Sequence, residues 1–89
     1  MPDISHEFTV RHGQMTNLPF GRIGAMWAIP GQEDQPAQVQ LSIGLPGRES
    51  EVKILPLGAT FTLENGTWTV AEIYSAGTLH WSAKLRRID

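Results

Sequence analysis

The chain contains no cysteine, and this absence excludes several kinds of chemistry at once. Disulfide bonds, thiolate nucleophiles and cysteine-ligated zinc or iron–sulfur sites all require that residue. The sequence also lacks any hydrophobic run close to the roughly 18 residues that a membrane-spanning helix needs. Its first ten residues have neither a basic start nor an apolar core, so we expect no signal peptide and a cytoplasmic location.

An excess of basic residues is also missing. Seven lysines and arginines stand against nine acidic residues, and the net charge of −2 argues against a dedicated nucleic-acid-binding protein. Hydrophobic residues make up 40% of the 89 residues and charged residues 18%, which is typical of a globular protein. A chain of this length buries only about 60–65% of its unfolded surface. We therefore expect one small domain spanning residues 1–89.

Helical periodicity is absent almost throughout, whereas apolar residues alternate with period two and turn residues recur at short intervals. Strands are predicted at Glu7–His12, Arg22–Ile29, Gln38–Gly44 and Leu79–Leu85, with one more after the Leu45–Arg48 loop and two in a hairpin over Phe61–Val70. The stretch "HGQMTNLPFG", residues 12–21, is predicted to be a loop. The pattern predicts an all-β fold: a single small antiparallel β-barrel or β-sandwich of six to seven strands, without substantial helix.

The hairpin signal is strongest in "FTLENGTWTV", residues 61–70. Asn65-Gly66 suits the two central positions of a type I′ turn, which would set Leu63 opposite Trp68 and Phe61 opposite Val70. All four large side chains then share one face, which we expect to face the core. In the preceding hairpin, a four-residue loop would set Leu41 opposite Val52 and Val39 opposite Ile54, again on the core face.

The stretches "ILPLGATFTLENGTWTVAEI" and "WSAKLRRID" have a characteristic succession of turns and aromatic strands. They resemble a family of short all-β actinomycete proteins, a domain of unknown function, mainly over residues 54–88 and more loosely in "FTVRHG" and "LPFGRI". The residues that carry the resemblance are Leu57, Gly58, Phe61, Trp68, Val70, Ile73, Trp81, Leu85 and Arg87. The resemblance implies an all-β fold and a bacterial source, and it supplies no catalytic residue.

Groups that could carry chemistry are few. His6 and His12 lie at opposite ends of one predicted strand, roughly 20 Å apart, so they cannot share a metal. A site built from His12, His80 and a carboxylate would need the fold to bring them together. Glu49 and Glu51 share one strand face about 7 Å apart, but with charged neighbours they indicate a solvated outer face that discourages edge pairing. We expect no metal and no cofactor, and these residues favour a protein without enzyme activity.

Two features of the sequence predict binding residues: a strand that is apolar on both faces and a short basic segment. Trp27, Trp68 and Trp81 lie on apolar strand faces and suit a compact core. The strand bearing Trp27 is apolar on both faces, which indicates either a covered central strand or a subunit contact. The basic segment "KLRR" could bind an anion, but we expect Lys84, Arg86 and Arg87 to pair with Glu49, Glu51 or Glu72. The residues selected for binding are Met26, Trp27, Ile29, His80, Arg86 and Arg87.

Three functions are compatible with these observations. The first is a non-enzymatic protein-interaction or accessory module, oligomeric or bound to another protein. The second is a small-ligand-binding or cyclase-like β-barrel with a cavity lined by Trp27, Trp68 and Trp81. The third is a weak nucleic-acid-binding small barrel. The first is favoured because no catalytic motif occurs. A small molecule is a further candidate partner, and we expect no membrane partner.

Overall fold

A computed structural model describes residues 6–89, which form two antiparallel four-stranded sheets packed face to face. The strands are β1 (Glu7–Arg11), β2 (Met15–Leu18), β3 (Gly21–Ile29), β4 (Gln38–Gly44), β5 (Glu51–Pro56), β6 (Thr60–Leu63), β7 (Gly66–Tyr74) and β8 (Ser82–Arg87). The first sheet has the order β1-β8-β7-β6 and the second the order β2-β3-β4-β5. The predicted all-β antiparallel fold is confirmed, and its form is a sandwich because neither sheet closes on itself. Residues 6–89 contain no helix that could cross a membrane.

The strand that the sequence did not reveal is β2, which lies inside the predicted loop of residues 12–21. It pairs with β3 from Met15↔Gly24 to Leu18↔Gly21. The Gly13 N–H and the Gln14 carbonyl extend this pairing to Ala25, at 2.9 and 3.0 Å. A four-residue edge strand has too few alternating positions to give a clear apolar pattern, so the prediction of a loop was wrong here.

Trp68 lies at the centre of the core between the sheets and has no exposed surface. Its ring is stacked on Phe20 at a centroid distance of 5.6 Å and tilted against Phe8 at 5.0 Å. Phe20 precedes β3 of the second sheet, whereas Phe8 is on β1 of the first. Trp68 therefore joins the two sheets through aromatic contacts. Close packing continues at Gly21, where a Cβ would lie 2.9 Å from Leu63 Cδ2.

The β6–β7 hairpin has the predicted face but not the predicted partners. Phe61 pairs with Trp68 and Leu63 with Gly66, so the turn is centred on Glu64-Asn65 rather than on Asn65-Gly66. Asn65 lacks the positive φ of a type I′ turn, and its side chain instead accepts a 2.9 Å hydrogen bond from Trp68 Nε1. A Cβ on Gly66 would collide with the Asp89 carbonyl oxygen. The glycine is thus required by the neighbouring C-terminal strand, while the asparagine satisfies a buried indole.

In the β4–β5 hairpin the predicted register is wrong by one residue. Gln40 pairs with Ile54 and Ser42 with Val52, so the Val52 and Ile54 side chains share the outward-facing side. The prediction assumed a four-residue loop, whereas residues 45–50 separate the strands. Because side chains alternate along a strand, a slip of one residue exchanges the faces. Glu51 therefore pairs with the buried Ile43 instead of lying on the outer face.

A β-bulge in β3 changes the predicted faces of that strand. Pairing with β4 shifts between Ala25 and Trp27, so Met26 is the extra residue. Ala28 takes the next inward position and is fully buried, whereas Trp27 and Ile29 pair with the outward-facing Gln40 and Gln38. The Trp27 side chain, predicted to lie on a core-facing side of this strand, is therefore on the outward side together with Ile29. The bulge also explains why this strand is apolar at successive positions.

The last strand begins later than predicted, at Ser82 instead of Leu79. Trp81, Ala83 and Leu85 are buried as expected, but the Leu79 side chain is 68% exposed. Leu79 belongs to the turn that follows β7, where Ser75 and Gly77 have φ values of 54° and 84°. The turn therefore occupies more of the chain than the apolar alternation indicated.

Candidate functional site

The outer surface of the second sheet is apolar where a solvated sheet would be polar. We call it the apolar face; its exposed apolar members are Met15, Ile29, Val52 and Ile54, with the half-buried Trp27 at its margin. The Val52 and Ile54 side chains are 56% and 57% exposed. Isolated exposed apolar residues are ordinary, but a set that is continuous across a sheet indicates an interaction surface.

Strand pairing arranges this face in three rows without a charged side chain. One row runs Met15–Gly24–Ser42–Val52 across all four strands, the next runs Trp27–Gln40–Ile54, and the third runs Ile29–Gln38–Pro56. The Met15 side chain lies over Gly24, since a Cβ on that glycine would meet Met15 Cε at 3.1 Å. These three rows are therefore uncharged, with glutamine and serine between their apolar groups, and the adjoining row places Arg22 between Asn17 and Gly44 on the same side of the sheet.

Three of the residues predicted to bind a partner lie on or beside this face. Ile29 is exposed in the third row, and Met26 is exposed at the bulge. Trp27 is half-buried; its ring packs against the core and meets the His12 ring edge-to-face at 5.8 Å. The sequence did not identify Met15, Val52 or Ile54 as members of the same surface, because only the strand register brings them together.

The outer surface of the first sheet is charged, and Lys84 and Arg86 form ion pairs there with acidic side chains. Lys84 Nζ lies 3.4 Å from Glu72 Oε2 and 4.0 Å from Glu7 Oε1, and Arg86 Nε lies 3.1 Å from Glu7 Oε2. The predicted pairing of the basic segment with Glu72 is thus observed, while Glu7 takes the place of Glu49 and Glu51. These mutual pairs leave little uncompensated positive charge for nucleic-acid phosphates.

Arg87 points in a different direction from Arg86. Its guanidinium donates to the Asn65 carbonyl oxygen at 3.3 Å and lies 3.2 Å from His6 Nε2. It therefore supports the β6–β7 turn, near the end of β8 that is remote from His80. The structure does not combine Arg86, Arg87 and His80 into one site.

His80 instead lies in a cleft at the opposite end of β8, which we call the end cleft. It has a volume of ≈ 370 Å³ and is lined by Arg11, His12, Gln14, Leu79, His80, Trp81 and Ser82. The fold thus brings His12 and His80 together, but without a carboxylate in the lining. Within residues 6–89 no group of three or more histidine, aspartate or glutamate side chains could hold a metal ion.

One hydrogen bond organises the end cleft. The indole N–H of the buried Trp81 donates to His12 Nδ1 at 3.0 Å, and the His12 backbone N–H donates to the Trp81 carbonyl oxygen at 3.1 Å. Nδ1 therefore acts as an acceptor, and in the neutral imidazole the ring hydrogen resides on Nε2. The bond joins residues 69 positions apart, so no local sequence signal could have indicated it.

The three tryptophans do not line a common cavity. Trp68 is enclosed by Phe8 and Phe20, Trp81 is buried beside His12, and Trp27 lies at the margin of the core. A ligand-binding barrel with a tryptophan-lined interior requires a hollow that these positions do not provide.

A second groove of ≈ 370 Å³ runs between the edge strands β5 and β6. Both signs of charge line it, through Arg48 and Lys53 on one hand and Glu49 and Glu51 on the other. All four residues are exposed. Charged side chains at a free strand edge discourage the addition of another strand.

The architecture and its surfaces define a small antiparallel β-sandwich with one apolar outer face, one ion-paired outer face and a polar cleft at one end. The chain belongs to a family of unknown function, DUF6406, whose model matches residues 5–89. The resemblance to an uncharacterised family is thus confirmed over nearly the whole chain, while the actinomycete source stays a prediction. Neither the curated proteins nor the solved structures contain a match to this chain.

Proposed function

We propose that this protein is a non-enzymatic interaction module that self-associates through the apolar face. The observation that carries the proposal is the exposure of Met15, Ile29, Val52 and Ile54 in three uncharged rows of one sheet surface. Covering apolar side chains of this kind removes them from water and favours association by about 25 cal/mol per Å² of buried apolar area.

A second copy of the chain is the partner that fits this surface best. Two-fold dimers bring the same patch of both subunits together, so the patch must be compatible with itself. The three rows have no charge, and Arg22 lies outside them in the adjoining row. Identical copies that meet through the three rows therefore avoid charge repulsion there, even though the chain carries a net charge of −2. The Gln38, Gln40 and Ser42 side chains supply both donors and acceptors, which suits pairing with an identical row.

The size of the face predicts a reversible dimer. The three rows comprise ten residue positions, and at a strand spacing of about 4.8 Å and a row spacing of about 7 Å these cover roughly 340 Å². Standard interfaces bury about 800 Å² of accessible area per partner, and smaller ones are typically transient. We therefore expect monomer and dimer to exchange, with the dimer favoured at high protein concentration.

The test is sedimentation equilibrium over a wide concentration range, with one variant on each outer face. Ile54→Lys adds a charge in the apolar face on edge strand β5, and Thr62→Lys adds the same charge on edge strand β6 of the other sheet. We expect the wild type and Thr62→Lys to dimerise and Ile54→Lys to remain monomeric. Circular dichroism and thermal melting establish that each variant is folded. A monomeric wild type at millimolar concentration, or an Ile54→Lys variant that dimerises like the parent, would overturn the proposal.

A further inference from the structure

The end cleft has a chemical character that the apolar face lacks, and it does not depend on self-association. Its polar lining consists of hydrogen-bond donors or of groups able to donate: Arg11, His12, Gln14, His80 and Ser82. No aspartate or glutamate lines it. Arg11 forms no ion pair within the part of the chain that the structure describes, unlike Lys84 and Arg86 on the same sheet. A concavity rich in donors and without a carboxylate attracts an anion.

One donor of the cleft, the His12 imidazole, is held in a fixed orientation before any ligand binds. Trp81 is buried and donates to His12 Nδ1, and the edge of Trp27 packs against the same imidazole ring. The ring hydrogen is thereby left on Nε2. A side chain fixed by buried neighbours loses less conformational entropy on binding than a free one.

The lining of the cleft also includes an exposed apolar side chain, which is carried by an ordered turn. Leu79, 68% exposed, lines the cleft next to His80. Thr78 Oγ1 donates to the Ser75 carbonyl oxygen at 2.8 Å and accepts from the His80 backbone N–H at 3.2 Å. Gly77 N–H ties the turn to the Ala28 carbonyl at 2.9 Å. Ser75, with φ 54°, is the one residue other than glycine with positive φ in residues 6–89, and such residues concentrate at functional sites.

We infer that the end cleft binds a small organic anion, a carboxylate attached to an apolar group. The carboxylate would accept hydrogen bonds from the Arg11 guanidinium and the His12 Nε2–H, and the apolar group would cover Leu79. A volume of ≈ 370 Å³ is at the lower end of the range for small-molecule pockets. The part of the ligand that occupies the cleft therefore has the size of a small molecule.

The test uses hexanoate as the probe and the tryptophan indole N–H signals in ¹H–¹⁵N correlation spectra as the readout, with Trp27→Phe to assist their assignment. We expect hexanoate to shift the Trp81 indole signal in a saturable manner. Hexanamide, which has the same chain without the charge, and inorganic phosphate, which has the charge without the chain, should each bind at least fivefold more weakly. Equal binding of either compound, or no shift at tens of millimolar hexanoate, would overturn the inference.

Two matched arginine variants test the assignment of the donor. Arg11→Gln removes the cleft guanidinium, and Arg86→Gln removes one from the other end of the same sheet surface. We expect the first to weaken hexanoate binding at least fivefold and the second to leave it unchanged. Equal effects of both variants would mean that general surface charge, not the cleft, attracts the anion. The measurements are made in the Ile54→Lys background as well, so that failure of self-association and failure of ligand binding are distinguished.

Discussion

The two outer surfaces of the sandwich differ although the two sheets share one core. On the first sheet, Glu7 and Glu72 are paired with Lys84 and Arg86. On the second sheet, three adjacent rows carry no charge and several exposed apolar groups, and Arg22 lies in the row beside them. Antiparallel sheets with one solvated side usually alternate apolar-in and polar-out, and only the first sheet follows this rule. The difference teaches that the two sheets of one sandwich can carry unlike outer surfaces, and the proposed self-association rests on the second.

The largest effect is expected for Trp68→Ala, which tests whether the two sheets with their unlike outer surfaces unfold as one cooperative unit. Trp68→Ala removes the ring that contacts Phe8 of the first sheet and Phe20 beside the second. We expect a loss of about 3–5 kcal/mol in the free energy of unfolding, enough to unfold much of a small domain. Thermal denaturation measures the loss, and amide exchange reports whether both sheets open together.

The control for this prediction is Trp27→Ala, which removes a half-buried indole at the margin of the core. Its cost should be clearly smaller than that of Trp68→Ala. If Trp68→Ala melted like the parent, or if one sheet stayed protected while the other opened, the single shared core would be contradicted.

An intermediate effect is expected at the turn of the first sheet's hairpin. Asn65→Ala removes the acceptor of the buried Trp68 indole N–H. An unsatisfied buried donor costs about 1–3 kcal/mol, and urea denaturation measures this loss. Asn17→Ala on exposed β2 is the matched control in the second sheet, with an expected change within about 0.5 kcal/mol. Similar costs for the two asparagine variants would mean that the Trp68 contact contributes little.

Whether the sequence predicts the correct core face of a strand depends on whether the error in the predicted register is an even or an odd number of residues. In the β6–β7 hairpin the actual pairing of Phe61 with Trp68 differs from the predicted one by two residues, so the core face was still correct. In the β4–β5 hairpin the difference is one residue, and Val52 and Ile54 moved from the predicted core to the surface. Local turn chemistry could not distinguish these cases, because loop length is fixed by contacts made elsewhere.

The candidate sites were less accessible from the sequence than the fold was. The apolar alternation of Val39, Leu41 and Ile43 gave β4 its observed bounds. The bulge at Met26 follows from pairing with β4 and has no signal within β3 itself. The end cleft depends on contacts between residues 12 and 81, so neither the His12 orientation nor the role of Arg11 could be derived locally. Sites that are assembled by tertiary contacts need the register before they can be recognised.

The smallest expected effect separates the two surfaces by their response to salt. Glu7→Gln removes the carboxylate shared by Lys84 and Arg86. Exposed ion pairs contribute about 0.2–1 kcal/mol and are screened by salt, so the loss should be measurable at low ionic strength and should nearly vanish near 1 M. Ile54→Thr on the apolar face, measured at a concentration where the chain is monomeric, should change stability by an amount independent of salt. If both variants responded to salt alike, electrostatics would not distinguish the two surfaces. A salt response confined to Glu7→Gln would show that ion pairs act on the surface of the first sheet. Apolar burial would then be the force that acts on the surface of the second sheet.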